Sequence, residues 1–410
     1  MLTQTLSEKT QYYLQLEEDF GAHNYHPLPV VLEKGKGVFV WDVEGKKYYD
    51  FLSGYSAINQ GHCHPRIVNA LIEQSKKLTL TSRAFYNNLL GEYEKFVTEY
   101  FGYDKLLPTN TGVEAVETAI KLCRRWGYEN KGIEDGEAKI IVCENNFHGR
   151  TSTVISFSTD PQSYSKFGPY MPGFIIIPYN DTNALQKALE DKNVAGFLVE
   201  PIQGEAGVCV PDEGYLSKAK QLCEAYNILF IGDEIQTGLG RTGKMLACDH
   251  ENVRADILIL GKALSGGTIP VSAVLADDKI MMNIKPGEHG STYGGNPLAC
   301  AVAIESLKVL KEESMTENAE AMGVLLRNEL HKLNSPFIST IRGKGLLNAI
   351  VINHANKDAA WELCVELKEN GLLAKPTHGD KIRFAPPLII TKAQITECVN
   401  IIADSLKCLE

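Results

Sequence analysis

The sequence predicts an α/β protein in which a large unit built on a mostly parallel sheet carries a smaller α+β unit formed by the two ends of the chain. Three observations predict this. Between residues 139 and 275, short and almost continuously apolar runs alternate with longer amphipathic or polar stretches, as strands covered by helices on both faces must. Around Gly290, Gly294, Gly295 and Pro297 that alternation stops, and a long helical region leads into strands of a separate unit. Near the start, two short runs rich in aromatic residues flank Gly45 and read as a hairpin.

Taken in order, the hairpin strands are 38–42 and 47–50, and the segment 1–57 is expected to pack with the C-terminal unit. The large unit spans 58–311. Its first marked feature is Leu107-Pro108-Thr109-Asn110-Thr111-Gly112-Val113-Glu114, which opens a helix with Val113, Val116, Ile120, Cys123 and Trp126 at helical spacing. Asn110 or Thr111 is its N-cap. Candidate strands follow at 140–143, 174–177, 196–199, 228–231, 257–260 and 272–275, and 215–226 carries leucine and alanine at helical spacing. Beyond the glycine-rich loop, 298–333 reads as helix, and 338–352 and 381–390 read as strands of the small unit, 312–410.

With 410 residues, 44% hydrophobic and 22% charged, the composition is that of a folded protein of two or three domains. A net charge of −10 argues against nucleic acid as partner, because phosphate binding needs a clustered basic surface. No apolar run approaches the roughly 18 residues of a membrane span. Met1 to Phe20 has one lysine and no arginine against four acids, unlike a signal or transit peptide. The ten cysteines lie mostly in apolar runs without regular spacing and are expected to be reduced, in a cytoplasmic protein. His62-Cys63-His64 is the one metal-like cluster, but no second ligand pair accompanies it, so no metal is expected.

The chemistry concentrates at two strand ends. The run 257–260 ends in Gly261-Lys262, and the run 228–231 ends in Gly232-Asp233. In a parallel sheet the carboxyl ends of the strands carry the site, so an amine and a carboxylate are expected there together. A lysine leaving a buried strand has its ammonium disfavoured by desolvation, which makes it a nucleophile towards carbonyls. The helix opening at Gly112 adds first-turn N–H groups and a positive dipole end, a phosphate site. Gly238-Leu239-Gly240-Arg241-Thr242-Gly243 matches a dinucleotide fingerprint, yet that motif needs glycine directly after the strand and a helix at once. Neither is present, so these glycines are expected to build a tight loop.

An amine, a buried acid and a helix-terminal phosphate site together fit pyridoxal 5'-phosphate: Lys262 for its aldehyde, Asp233 for its ring nitrogen, Gly112 and Val113 for its phosphate. A carboxylate about 4 Å from a pyridinium is worth roughly 4 kcal/mol at an effective dielectric of about 20, enough to keep the ring protonated.

Segments spread nearly end to end carry a resemblance: Gly21-Ala22-His23-Asn24-Tyr25-His26-Pro27, Asn59 to Pro65, Thr81 to Asn88, Glu200-Pro201-Ile202-Gln203-Gly204-Glu205, Asp233-Glu234-Ile235-Gln236-Thr237-Gly238, Gly290 to Pro297 and Lys375 to Asp380. The chain resembles the class III, fold-type I pyridoxal-phosphate-dependent aminotransferases, and within them the branch that acts on ornithine. The resemblance implies cofactor contacts from Thr111, Gly112, Val113, Phe147 (stacked on the ring), Glu200, Asp233, Gln236 and Lys262. It implies that Ser291 and Thr292 reach the phosphate of a neighbouring subunit, so that the active unit is a homodimer. It implies that Tyr25 and Arg150 hold the α-amino and α-carboxylate ends of L-ornithine, that Tyr55 lines the pocket, and that 2-oxoglutarate is the acceptor.

Glu205 would pair with Arg383 while ornithine is bound and release it for 2-oxoglutarate. Chemistry supports this apart from the resemblance, since one site that accepts a diamino acid and then a dicarboxylic acid needs an arginine that can be masked. The chain departs from animal members, which resemble Phe-Trp-Gly-Arg, in having Phe147-His148-Gly149-Arg150. Within the class, N-acetylornithine or 4-aminobutyrate is the alternative donor; outside it, an inactive cofactor-binding interaction protein is the alternative.

Overall fold

The computed structural model describes residues 6–410. Residues 1–5 of the stretch read as unlike a targeting peptide lie outside those described. Leu32–Lys36 (β1), Phe39–Asp42 (β2) and Lys47–Asp50 (β3) pair antiparallel, and β3 pairs in parallel with Leu372–Leu373 (β13). The early hairpin thus joins a strand more than three hundred residues later through backbone hydrogen bonds.

The central sheet has seven strands: Lys105–Thr109 (β4), Lys139–Cys143 (β5), Phe174–Ile177 (β6), Val194–Val199 (β7), Leu229–Asp233 (β8), Ile257–Leu260 (β9) and Ser272–Ala276 (β10). Their order is β4-β10-β9-β8-β7-β5-β6, and only β10 runs against its neighbours. Successive side chains leave opposite faces of each strand. Ile140 and Val142 pack with the Gly112–Trp126 helix on one side, while Ile141 and Cys143 pack with Leu216 and Ala219 of the Tyr215–Ala225 helix on the other. Both faces are therefore dry, which is why β7 to β10 are buried at every position.

Four local readings need correction. β4 is a strand where no strand was expected; Pro108 lacks a ladder N–H and hides the signal, and it is tolerated because β4 is an edge strand. The region 298–333 is two helices, Pro297–Glu312 and Met315–Lys332, separated where Ser314 adopts φ +50°. The run 338–352 is a hairpin of Ile338–Lys344 (β11) and Leu347–Ile352 (β12), turned at Gly345, whose left-handed backbone packs against Thr242 and Gly243 too closely for any Cβ. The run 381–390 is strand only over Lys381–Phe384 (β15), because Pro386 and Pro387 cannot extend a ladder. Pro376–Thr377 (β14) completes this second small sheet, in the order β11-β12-β15-β14.

The glycine-rich 238–243 segment is a chain of buried turns with no helix after it. It carries Arg241, fully buried, whose guanidinium donates to Asn59 Oδ1 (2.6 Å), Leu346 O (2.9 Å) and Pro386 O (2.6 Å). That side chain ties the N-terminal segment and the C-terminal sheet to the end of β8.

Candidate active site

The carboxyl ends of β8 and β9 open on a cleft of about 650 Å³ lined by Gly112, Val113, Phe147, Glu200, Glu205, Asp233, Gln236 and Lys262, with His148, Gly149, Ile235 and Thr237 beside them. Its size suits a small molecule. Lys262 follows β9 with φ +45°, a conformation costly for a side-chain-bearing residue by about 1–2 kcal/mol. Strain of this kind persists where surrounding structure holds it. Although part of its surface opens into the cleft, desolvation pushes the Lys262 ammonium below its ordinary value, and Glu205 and Asp233 offset this only partly.

Asp233, the last residue of β8, is buried; its Oδ1 accepts from Ile235 N (3.1 Å) and its Oδ2 faces His148 Nδ1 at 2.6 Å. Burial alone would lower the His148 pKa, but the Asp233 hydrogen bond and charge raise it. His148 Nε2 is buried with no partner among the described residues. The sequence marks His148 only as a departure; its pairing with Asp233, 85 positions away, is a tertiary contact.

At the helix opening, Thr111 is the N-cap. Its Oγ1 accepts from Glu114 N, and Glu114 Oε2 accepts from Asn110 N (2.7 Å) and Thr111 N (2.9 Å). Of the first-turn donors, Gly112 N–H and Val113 N–H precede the first intrahelical bond and point out of the helix end. A Cβ on Gly112 would lie 3.1 Å from Ile235, so only glycine lets the helix approach the cleft this closely.

Across the cleft, Arg383 Nη1 donates to Glu205 Oε1 at 2.6 Å, and Gln236 Nε2 donates to the same oxygen at 3.1 Å. Burial raises the Glu205 pKa, but Arg383 more than cancels it, so the carboxylate is held below its ordinary range. Arg383 also lies over the Tyr55 ring at 5.0 Å. Tyr55 is presented by Ser53–Ser56, where all four residues have positive φ.

Other expected site residues stand apart from this lining. Tyr25 is 72% exposed. Arg150 is exposed, with its guanidinium over the Phe147 ring at 5.6 Å. Ser291 Oγ accepts from Asn110 Nδ2 of its own chain (2.9 Å), and Thr292 is exposed. His62 and His64 pair with Asp50 and Glu313, and no metal-binding cluster occurs among the described residues. No described helix is long and apolar enough to cross a membrane.

The family model for class-III aminotransferases matches residues 20–406. The chain belongs to the class-III aminotransferases. Mitochondrial ornithine aminotransferase of Rattus norvegicus is 63% identical over 96% of this chain and 90% of its own length. The crystal structure of ornithine aminotransferase from Toxoplasma gondii superposes with a TM-score of 0.95 at 49% identity, covering 98% of this chain and 96% of that one. The crystal structure of an acetylornithine aminotransferase from Elizabethkingia anophelis gives 0.89 at 59% identity, covering 97% and 99%.

Class-III aminotransferases use pyridoxal 5'-phosphate, and this cleft fits it. One desolvated amine, one buried carboxylate and one glycine-bearing helix end face the same space, which matches an aldehyde, a ring nitrogen and a phosphate. Bound there, the cofactor supplies an electrophilic carbon and an electron-withdrawing ring.

Glu200 offers a test of these electrostatics. Burial pushes its carboxyl from about 4.5 up to about 7, while His148 pulls the other way, and its Oε1 accepts from Phe147 N at 2.9 Å. Between those two values the unfolded chain releases this proton before the folded one, so the group lowers stability as pH rises through that window. Glu200→Gln in the cofactor-free protein is therefore expected to gain on the wild type between pH 5 and pH 8, by on the order of 3 kcal/mol. Urea unfolding at the two pH values measures this, and a gap independent of pH would refute it.

Proposed function

We propose that this class-III aminotransferase moves the δ-amino group of L-ornithine to 2-oxoglutarate, giving glutamate and glutamate 5-semialdehyde, which cyclises to pyrroline-5-carboxylate. The observation that carries the reading is the Arg383–Glu205 pair facing Lys262. A free arginine would favour donors with a second carboxylate, and a permanently neutralised one would reject 2-oxoglutarate. An arginine masked by a carboxylate that can move serves both substrates in turn.

In this reading Lys262 Nζ holds the cofactor at rest and, once freed, carries the proton away from the δ-carbon of ornithine. Asp233 holds the ring nitrogen protonated, and His148 orients Asp233. Thr111, Gly112 and Val113 anchor the phosphate, Phe147 stacks on the ring, and Gln236 and Glu200 steady the cofactor's surroundings. Tyr55 lines the pocket, and Tyr25 and Arg150 hold the α-amino and α-carboxylate groups. We further propose a homodimer in which Ser291 and Thr292 complete the partner's site. Exposed Phe85 (74%), Tyr86 (104%) and Tyr293 (58%) supply apolar surface for it, and sedimentation would reveal a monomer if this is wrong.

The segments 1–57, 58–311 and 312–410 are proposed as its structural units. Cytoplasmic residence is proposed from ten free thiols; cell fractionation tests it, since the rat relative is named as mitochondrial.

The donor is tested by kcat/KM for ornithine, N-acetylornithine and 4-aminobutyrate, each with 2-oxoglutarate. A site that hydrogen-bonds a free α-amino group should prefer ornithine by about 100-fold or more. Preference for N-acetylornithine, the donor in the name of the Elizabethkingia anophelis neighbour, would replace this reading.

A further inference from the structure

Releasing Arg383 creates a problem of its own, because a carboxylate displaced from a buried guanidinium cannot be left unpaired without a cost of several kcal/mol. The fold holds a second cationic site next to the first. On the small sheet, Arg342 of β11 and Arg383 of β15 both stand opposite Ala349 of β12. Directly opposed residues share a face, so both guanidiniums leave the same face, their backbones roughly 10 Å apart. Lys381, two residues before Arg383 on β15, shares that face.

The 204–209 turn that carries Glu205 lies across these cations. Arg342 Nε donates to Gly207 O at 2.9 Å, and a Cβ on Gly207 would lie 3.2 Å from Arg342 Nη2 and 2.3 Å from Lys381 Cδ. Glu205 itself lines two cavities: the cleft with Lys262, and a second of about 840 Å³ shared with Arg342, His378 and Lys381. Arg342 Nη2 is buried and has no partner among the described residues. Of the acids nearby, Asp380 holds Lys381 Nζ at 2.6 Å, and Asp160 accepts from Gln162 N and Ser163 Oγ in its own turn. The vacant donor is therefore the one on Arg342.

We propose that Arg342, assisted by Lys381, is the second seat of the Glu205 carboxylate, occupied when a dicarboxylate takes Arg383. This rests on the masking of Arg383 proposed above. Arg342 is a positioning residue: it touches no substrate and acts by setting how easily Glu205 leaves. The apparent affinity for a dicarboxylate then falls with the fraction of Glu205 that has moved.

The test is calorimetric titration of the holoenzyme with glutarate, a dicarboxylate that cannot react. Arg342→Gln is expected to weaken glutarate about tenfold, while Glu205→Ala tightens it by a similar factor. In the Glu205→Ala background, Arg342→Gln should change Kd less than about twofold, because nothing remains to be seated. KM for 2-oxoglutarate should follow the same pattern, with the single-turnover rate for ornithine unchanged by Arg342→Gln. Equal weakening with and without Glu205, or no weakening, overturns the proposal. If Glu205→Ala fails to tighten glutarate, the masking itself is wrong and the second seat falls with it. Should Arg342→Gln not fold, Lys381→Gln at the cavity rim is expected to weaken glutarate about threefold, again only when Glu205 is present; no effect there also overturns it.

Discussion

Lys262→Ala is expected to lower kcat for amino transfer by about 10⁴-fold or more while leaving the fold intact. The size follows from two tasks falling on one atom. Nζ is the amine that desolvation holds below its ordinary pKa at the cleft floor, and it is the lining group suited to carry a proton from carbon at neutral pH. The neighbouring titratable groups are carboxylates and His148, and His148 is engaged with Asp233. Removal of the side chain also relieves a φ of +45° only slightly, since alanine is strained there too. Melting temperature should therefore stay close to that of the wild type. A small primary amine added in solution should restore part of the rate by replacing the missing base. Turnover within tenfold of wild type would remove Lys262 from the mechanism.

Asp233→Asn is expected to be the second largest loss, about 10³-fold in kcat. A buried carboxylate near a pyridinium is worth roughly 4 kcal/mol at an effective dielectric of about 20, and an amide of the same shape gives up nearly all of it. The substitution keeps an oxygen for Ile235 N but changes what His148 meets: the imidazolium favoured by Asp233 loses its counter-charge inside the protein. The expected signature is a fall in kcat with little change in KM for either substrate, because Asp233 faces the ring and not the substrate ends. Steady-state kinetics with both substrates varied would show it. An equal loss in KM with kcat preserved would mean that Asp233 serves binding alone.

The alternation of dry apolar runs determined the parallel sheet, because a strand covered on both faces has no polar positions to spare. Lys262 and Asp233 were legible for the same reason: a charge that ends such a run stands at the carboxyl edge, where a parallel sheet keeps its site. β4 was not legible, since a proline in an edge strand looks like a loop when only local propensity is read. Ser314 likewise broke a helix that periodicity alone would continue.

The pairing of residues far apart in the chain is another matter. His148 beside Asp233, Arg241 among Asn59, Leu346 and Pro386, and Arg342 opposite Ala349 from Arg383 depend on register and crossover order. Composition and spacing carry no record of either. The sequence by itself determined which groups the site contains, because burial periodicity and glycine at a helix end are local demands. Only the tertiary structure decided which carboxylate faces which cation, because that depends on distances of a few ångströms set by packing between segments the chain brings together last.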